Sequence, residues 1–317
     1  MSKPLVSVVI PCYKAEKYLS ETIDSLYAQK KVNLQIIAVE DGVFDNTAKI
    51  LENYPQIEHM QFAENRGAQK ARNTGLAKVK SDYVMFLDSD DYHEGELLYG
   101  LYKSLEDSGA SIAFGKLKKI YENSKKERWF LPPKNETNLE VLERWLLGFS
   151  GPNPSAILWR TSELQRIGAW NEQFHRNQDG ELVIRAMFND CTVTQSYEGH
   201  GVYRLHNQSS VSKDMSEKTF KSQELLEMYI KSQIKLKQEY KFLIKPLGKW
   251  IFNNAMIAYK YNQFIIGKKW EKKWIENGKY GGYSGQKKIK QIISYIAYKI
   301  FGLKNAIALF KKINKNW

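Results

Sequence analysis

The four residues Asp88-Ser89-Asp90-Asp91 set three carboxylates within four positions, directly after the apolar run Tyr83–Leu87. Mutual repulsion among such groups opposes their ionisation, and folding alone gains nothing from the arrangement. A divalent cation would relieve it. Oxygen donors of this kind suit Mg²⁺ or Mn²⁺, which take one or two protein carboxylates and complete their shell with phosphate oxygens and water. The same residues also make a good polar turn ahead of a helix, because Asp and Ser cap helices and close turns; taken alone, the run leaves both readings open. The chain has two cysteines, Cys12 and Cys191, too few for a disulfide framework or a four-ligand zinc site, so a reducing compartment is expected. Any metal must be held by oxygen ligands, with or without a histidine.

The elements that would position these acids can be read from periodicity. Leu5–Pro11 and Leu34–Asp41 are short, β-branched and almost uncharged, as strands buried on both faces of a parallel sheet should be. Between them Leu19, Ile23 and Leu26 recur at helical spacing in Glu16–Gln29, which completes a βαβ unit. A helix over Asp45–Asn53, an edge-like strand over His59–Ala63, a helix through Gly67–Lys78 and the strand Tyr83–Leu87 continue the alternation. The pattern predicts an α/β fold with a mostly parallel sheet. Ligands of such sheets collect beyond the carboxyl ends of the strands, where Asp41 and Asp88–Asp91 both fall.

Five pieces in order over residues 5–212 carry a resemblance to a known family: VSVVIPCYKAEKYLSETIDSLYAQ, IIAVEDGVFDNT, NRGAQKARNTGLAKVKSDYVMFLDSDD, GAWNEQFHRNQDGELVIRA and YRLHNQSSVS. The chain resembles the family 2 glycosyltransferases, enzymes of the GT-A fold. The resemblance implies a nucleotide-sugar donor whose base is held by Pro11, Tyr13 and Asp41, with Asp88 on the ribose and Asp90 on Mn²⁺ or Mg²⁺. It also implies inversion at the anomeric carbon. Asn177-Gln178-Asp179 falls where the family carries a short acidic motif opening a helix, which makes Asp179 the expected general base, with Glu181 behind it; the alternative is that Asp179 only caps the helix Gly180–Phe188. Arg66 and Arg72 lead into the acidic strand and would hold phosphate bidentately or steady the base, unless they are ordinary helix-surface charge. His206 is placed as an additional metal or diphosphate contact. Trp170 and Ser150–Ser155 are expected to line the sugar and acceptor sites. With no Gly-Lys-Ser or Gly-Lys-Thr phosphate loop in the chain, a metal clamp on the departing diphosphate is the chemistry that fits. Two departures stand out. Val43 and Phe44 follow Gly42 where the family reads Ser and Thr, which bears on nucleobase preference, and Gln178 replaces the usual Glu.

Charge divides the chain a second way. Residues 213–317 hold 23 lysines, no arginine and 7 acidic residues, a net +16, whereas the total for the chain is +13. The first 212 residues are therefore slightly acidic. The expected domains are a catalytic unit 1–212, with a nucleotide-binding half 1–91 and an acceptor half 92–212, and a basic, mainly helical extension 213–317. Within the extension Ile289, Ile292, Ile293, Ile296, Ile300, Leu303, Ile307 and Phe310 fall on one helical stripe flanked by lysines. Such a helix fits an anionic membrane surface, and the resemblance implies a glycan or lipid-linked glycan as acceptor. The alternatives are packing on the catalytic unit or a homo-oligomer contact. A tail without arginine joined to an acidic unit argues against nucleic acid. No signal-peptide pattern and no stretch of about 20 apolar residues is found, so a cytoplasmic chain, peripheral on the inner face of the membrane, is expected. The functional expectation is a metal-dependent inverting glycosyltransferase acting on a UDP-sugar; the alternative is a noncatalytic sugar-nucleotide-binding or assembly subunit with the same fold.

Overall fold

The computed structural model describes residues 3–42, 45–122, 124, 126–148, 151, 153–205, 214 and 216–278. The chain forms two compact units, one of Met1–Val141 and Gly151–Ser210, the other of Leu142–Ser150 and Val211–Trp317. The break thus falls at Val211, and the short segment Leu142–Ser150 groups with the C-terminal unit, for which the sequence gives no sign.

The first unit is built on strands β1 (Leu5–Cys12), β2 (Asn33–Glu40), β3 (Glu58–Gln61) and β4 (Tyr83–Phe86), joined through helices α1 (Leu19–Tyr27), α2 (Thr47–Leu51) and α3 (Ala68–Leu76). These four strands pair in parallel, in the order β4-β1-β2-β3. Residues of β1 alternate between two covered faces. Val6, Val8 and Ile10 join a core with Leu19, Ile23 and Leu26 of α1 and with Leu97, Leu101 and Leu105 of α4 (Leu97–Ser108). Val9 points the other way, onto α3, where a Cβ on Gly75 would lie 2.4 Å from a Val9 methyl. Burial on both faces is why these strands read as continuous apolar runs.

The sheet is completed by β6 (Ile112–Phe114), β9 (Ile157–Arg160) and β10 (Val193–Gln195), in the overall order β10-β6-β9-β4-β1-β2-β3. Strand β9 runs antiparallel to both β4 and β6. A second sheet, ordered β5-β11-β7-β8, uses β5 (Tyr92–Glu94), β7 (Leu117–Tyr121), β8 (Glu127–Phe130) and β11 (His200–Leu205). The acidic run Asp88–Asp91 is the turn that carries the chain from the first sheet into the second, closed by the Asp91 N–H donating to Asp88 O (3.0 Å). Helices α5 (Asn138–Leu146), α6 (Thr161–Arg166) and α7 (Gln178–Phe188) follow these strands.

The described part of the second unit is helical, with α8 (Glu217–Leu236), α9 (Ile244–Lys260) and α10 (Phe264–Glu276). Trp270 meets Trp250 edge-on at 5.7 Å and Trp274 meets Phe252 at 4.9 Å, which locks α10 on α9. Among the described residues no helix is long and apolar enough to cross a membrane. The apolar stripe Ile289–Phe310 lies outside the described residues, as does His206.

Candidate active site

Four carboxylates converge where β4 ends and α7 begins. Asp88, Asp90, Asp91 and Asp179 all act on the Tyr203 hydroxyl, whose ionisation is suppressed first by burial and then by these negative charges. The link between the two elements is Arg72 on α3: its Nη2 donates to Asp88 Oδ1 (2.6 Å) and its Nη1 to Gln178 Oε1 (2.9 Å). The guanidinium lies 4.5 Å from the centroid of the Trp170 ring, which in turn packs edge-on against Phe86 of β4 at 5.1 Å. Trp170 is 3% exposed, so it backs Arg72 rather than lining a sugar site. Gln178 keeps the role of an acceptor toward Arg72 without adding a charge beside Asp179.

The three acids of the turn are not equivalent. Asp91 is fully buried: its Oδ2 accepts from Ser155 Oγ (2.6 Å) and Asn153 Nδ2 (2.9 Å), and its Oδ1 from the Arg204 N–H (3.1 Å). Burial, with repulsion from Asp90 and Asp88, pushes its carboxyl well above the ordinary carboxylate range. Asn153 and Ser155, expected to line the acceptor site, hold the acidic turn. Asp88 and Asp90 remain partly exposed. Arg204 also holds the turn from β11, with Nε donating to Asp90 O (2.9 Å) and Nη2 paired with Glu21 (2.5 Å). Thr22 of α1 donates to Asp91 O (2.8 Å) from beneath. Tyr203 and Arg204 both lie in the YRLH piece, yet nothing in the sequence singles them out.

Asp179 occupies the first turn of α7. Desolvation raises its carboxyl above the ordinary value and Asp88 adds to this, while the N–H groups of Asp179 and Gly180 and the Arg72 cation pull the other way. Its carboxylate thus accepts from N–H groups in the first turn of α7 and acts with the acids of the turn on Tyr203. Glu181, the reserve candidate, is 4% exposed and held by Arg185, Nε to Oε1 at 2.6 Å and Nη2 to Oε2 at 3.1 Å. Arg185 further donates to the carbonyls of Ile167 and Ala169. Glu181 is thus a tie within the fold and has no free oxygen for proton transfer.

The expected base-binding residues group around the ends of β1 and β2. Pro11 is buried opposite Val39, and Tyr13 just beyond the strand is 50% exposed, with Lys14 Nζ 5.4 Å from its ring centroid. Asp41 is 2% exposed and organises the following loop: Oδ1 accepts from the Arg66 N–H (2.6 Å), Oδ2 from the Gly67 N–H (2.9 Å) and Asn65 Nδ2 (3.1 Å). Gly42 has φ +67° and a Cβ there would lie 1.9 Å from the Glu64 carbonyl carbon, so no other residue fits. The Arg66 guanidinium stacks over Phe62 at 5.3 Å. The two arginines of NRGAQKARN are therefore separated, Arg72 in the carboxylate cluster and Arg66 beside Asp41.

Among the described residues no group of three or more His, Cys, Asp or Glu side chains is arranged to hold a metal ion. Asp91 is held through both its carboxylate and its backbone, and the other two acids of the turn, Asp88, which pairs with Arg72, and Asp90, are hard oxygen donors. That donor set fits Mg²⁺ or Mn²⁺, which take few protein ligands and leave room for phosphate, and it does not fit a closed all-protein cage.

Residues 7–159 match the sequence family described as glycosyl transferase family 2. Glycosyltransferase GlyA of Streptococcus pneumoniae is 36% identical over 113 residues, covering 35% of this chain and 16% of that protein. The putative teichuronic acid biosynthesis glycosyltransferase TuaG of Bacillus subtilis is 30% identical over 151 residues, 46% of this chain and 60% of its own length. The chain thus spans less than two thirds of the length of either relative. The crystal structure of S. aureus TarS 1-349 in complex with UDP-GlcNAc aligns with a TM-score of 0.70 at 17% identity, covering 98% of this chain and 91% of the other. That likeness shows the fold, a GT-A arrangement with a mostly parallel central sheet and C-terminal helices.

Proposed function

From the match of residues 7–159 to glycosyl transferase family 2, we propose that this chain is a member of that family and that it transfers a sugar, with inversion, from a UDP-sugar to a hydroxyl of a glycan or lipid-linked glycan. The observation that carries the proposal is the Arg72 bridge, which fixes Asp88 of the turn against Gln178, the residue preceding Asp179. Single displacement requires a carboxylate opposite the departing diphosphate, to take the proton of the attacking hydroxyl. Asp179 has the raised carboxyl suited to that task. The donor's base stacks at Tyr13 beside the loop that Asp41 and Arg66 shape, and its ribose reaches Asp88. The fold likeness to TarS, a structure with UDP-GlcNAc bound, supports uridine and an N-acetylhexosamine as the first donor to test.

Asp88 and Asp90 would hold Mn²⁺ or Mg²⁺, with His206 as a third contact. When bound, the ion neutralises charge developing on the leaving diphosphate. Arg72 orients Asp88 for this and keeps the two sides of the cleft in register. The test is donor turnover in the presence and absence of Mn²⁺, for the wild type and Asp90→Ala. Loss of both turnover and Mn²⁺-dependent donor binding in the variant supports the reading, and unchanged activity overturns the metal assignment. A noncatalytic assembly subunit would bind UDP-sugars without consuming them in either protein.

The membrane reading draws support from the second unit. Where α9 meets α10, Tyr261, Phe264 and Ile265 are 49%, 44% and 89% exposed in a segment carrying Lys260, Lys268 and Lys269. Exposed apolar side chains among lysines suit the interface of an anionic bilayer on the cytoplasmic face.

A further inference from the structure

In the second sheet, strands β11, β7 and β8 lie side by side with Tyr203 opposite Lys119 and Lys119 opposite Arg128. Cross-strand partners project to the same face, about 4.8 Å apart from strand to strand, so these three side chains form a row. The Tyr203 end of the row is the acidic end, where Asp88, Asp90, Asp91 and Asp179 all bear on the hydroxyl. Of these four only Asp179 reaches Lys119, and Arg128 acts on Lys119 from the other side. The row therefore runs from the carboxylate cluster past Asp179 to two adjacent cations.

The opposite face of the same strands behaves differently. Lys118 pairs with Glu127 at 3.2 Å and lies 5.8 Å from the Trp129 ring, so that its charge is answered within the sheet. Lys119 and Arg128 have no ion-pair partner among the described residues. Lys119 contacts the Tyr203 ring at 5.7 Å, and burial, with the Arg128 charge, lowers its pKa although Asp179 pulls the other way, so the ammonium has lost water without an ion pair that makes up for it. Folding does not favour an uncompensated, desolvated cation. A ligand carrying negative charge would compensate it.

The geometry points to an anion-binding subsite for the acceptor, formed by Lys119 and Arg128 beside Asp179, which takes a glycan bearing a phosphate or carboxylate next to the hydroxyl to be glycosylated. It rests on the reading of Asp179 as the base, because that role makes this side of the cluster the acceptor side. Arg128 offers a planar fork matched to an oxyanion, and Lys119 a point charge behind it. A neutral glycan leaves both unanswered.

The test is equilibrium binding to the full chain, in the presence of UDP, of three short oligomers of equal length: glycerol phosphate, glucuronate and glucose. Both or one of the anionic oligomers should bind at least about tenfold more tightly than the glucose oligomer, and the difference between the phosphate and carboxylate arms identifies the anion. Lys119→Gln with Arg128→Gln should abolish that preference while UDP affinity stays unchanged, and Lys119→Arg should retain most of it. Arg128 is on the surface, so Arg128→Gln alone is a variant that keeps its fold and should lose part of the preference. Equal binding of anionic and neutral oligomers overturns the proposal. So does a parallel loss of UDP affinity in the double variant, which would assign the cations to the donor diphosphate. Because the readout is binding, full activity of Asp179→Asn would remove the base assignment while this measurement still decides whether the anion site exists.

Discussion

At the level of single residues the proposed reaction rests on Asp179, whose environment gives two consequences of opposite sign. Asp179→Asn keeps the shape and the helix-capping oxygen but accepts no proton, so turnover should fall by about 10²–10⁴-fold with UDP affinity retained. Because the folded-state pKa of Asp179 is raised above its unfolded value, the folded state holds that proton more tightly. Stability from this group is present below the unfolded pKa and is lost as pH rises through the folded one. The same variant should therefore unfold at a higher temperature than the wild type at neutral pH, measurable by calorimetry, and a lowered Tm would mean that the carboxylate stabilises the helix. The raised pKa also places the acid limb of the kcat/KM profile above the ordinary carboxylate range, activity rising with pH through it. Arg72→Lys removes the two-pronged bridge and the stacking on Trp170 and should cost on the order of 10²-fold in turnover by loosening Asp88 against α7, with little loss of fold. Unaltered kinetics would show that the bridge is incidental.

At the level of elements, the loop after β2 depends on one residue without a side chain. Gly42→Ala must move the Glu64 backbone or abandon φ +67°, which should lower stability by about 2 kcal/mol or more in denaturant titration and weaken UDP binding through the Asp41–Arg66–Gly67 contacts. Wild-type stability in that variant would contradict the close approach. The sequence makes β1 to β4 and α1 to α3 readable because burial on both sheet faces leaves long apolar runs and helical spacing. It does not disclose the second sheet. LKKIY of β7 and ERWF of β8 carry their charges in adjacent pairs without alternation and are partly to fully exposed apart from Leu117, so they resemble surface loops, and Lys119 looks like any solvated lysine. The acidic turn was legible as a site, yet which of its acids is structural was not, since the groups that consume Asp91 come from residues 153–155 and Arg204, distant in the chain. Likewise Glu181 is withdrawn by Arg185 one helical turn on, a pairing that the spacing permits but does not require.

Taken whole, the molecule joins a slightly acidic unit carrying the carboxylate cluster to a C-terminal stretch of net charge +16. If that stretch meets anionic bilayers through both charge and apolar insertion, cosedimentation with anionic liposomes should fall only in part at high salt, as the Debye length shrinks from about 10 Å at 0.1 M to about 3 Å at 1 M. Ile265→Glu, at an 89% exposed position, should remove the salt-resistant part without changing UDP affinity. Complete release of the wild type by salt would reduce the attachment to electrostatics. The central claim is that this chain consumes a nucleotide sugar by single displacement with Asp179 as base. It is tested most directly by following the anomeric proton in NMR spectra while the wild type and Asp179→Asn are incubated with Mn²⁺ and, in turn, UDP-, GDP- and dTDP-sugars. The wild type should release a sugar of inverted configuration first from a UDP-sugar, and Asp179→Asn should bind that donor and leave it intact. Release at the wild-type rate by Asp179→Asn, or first release with retained configuration, would contradict it.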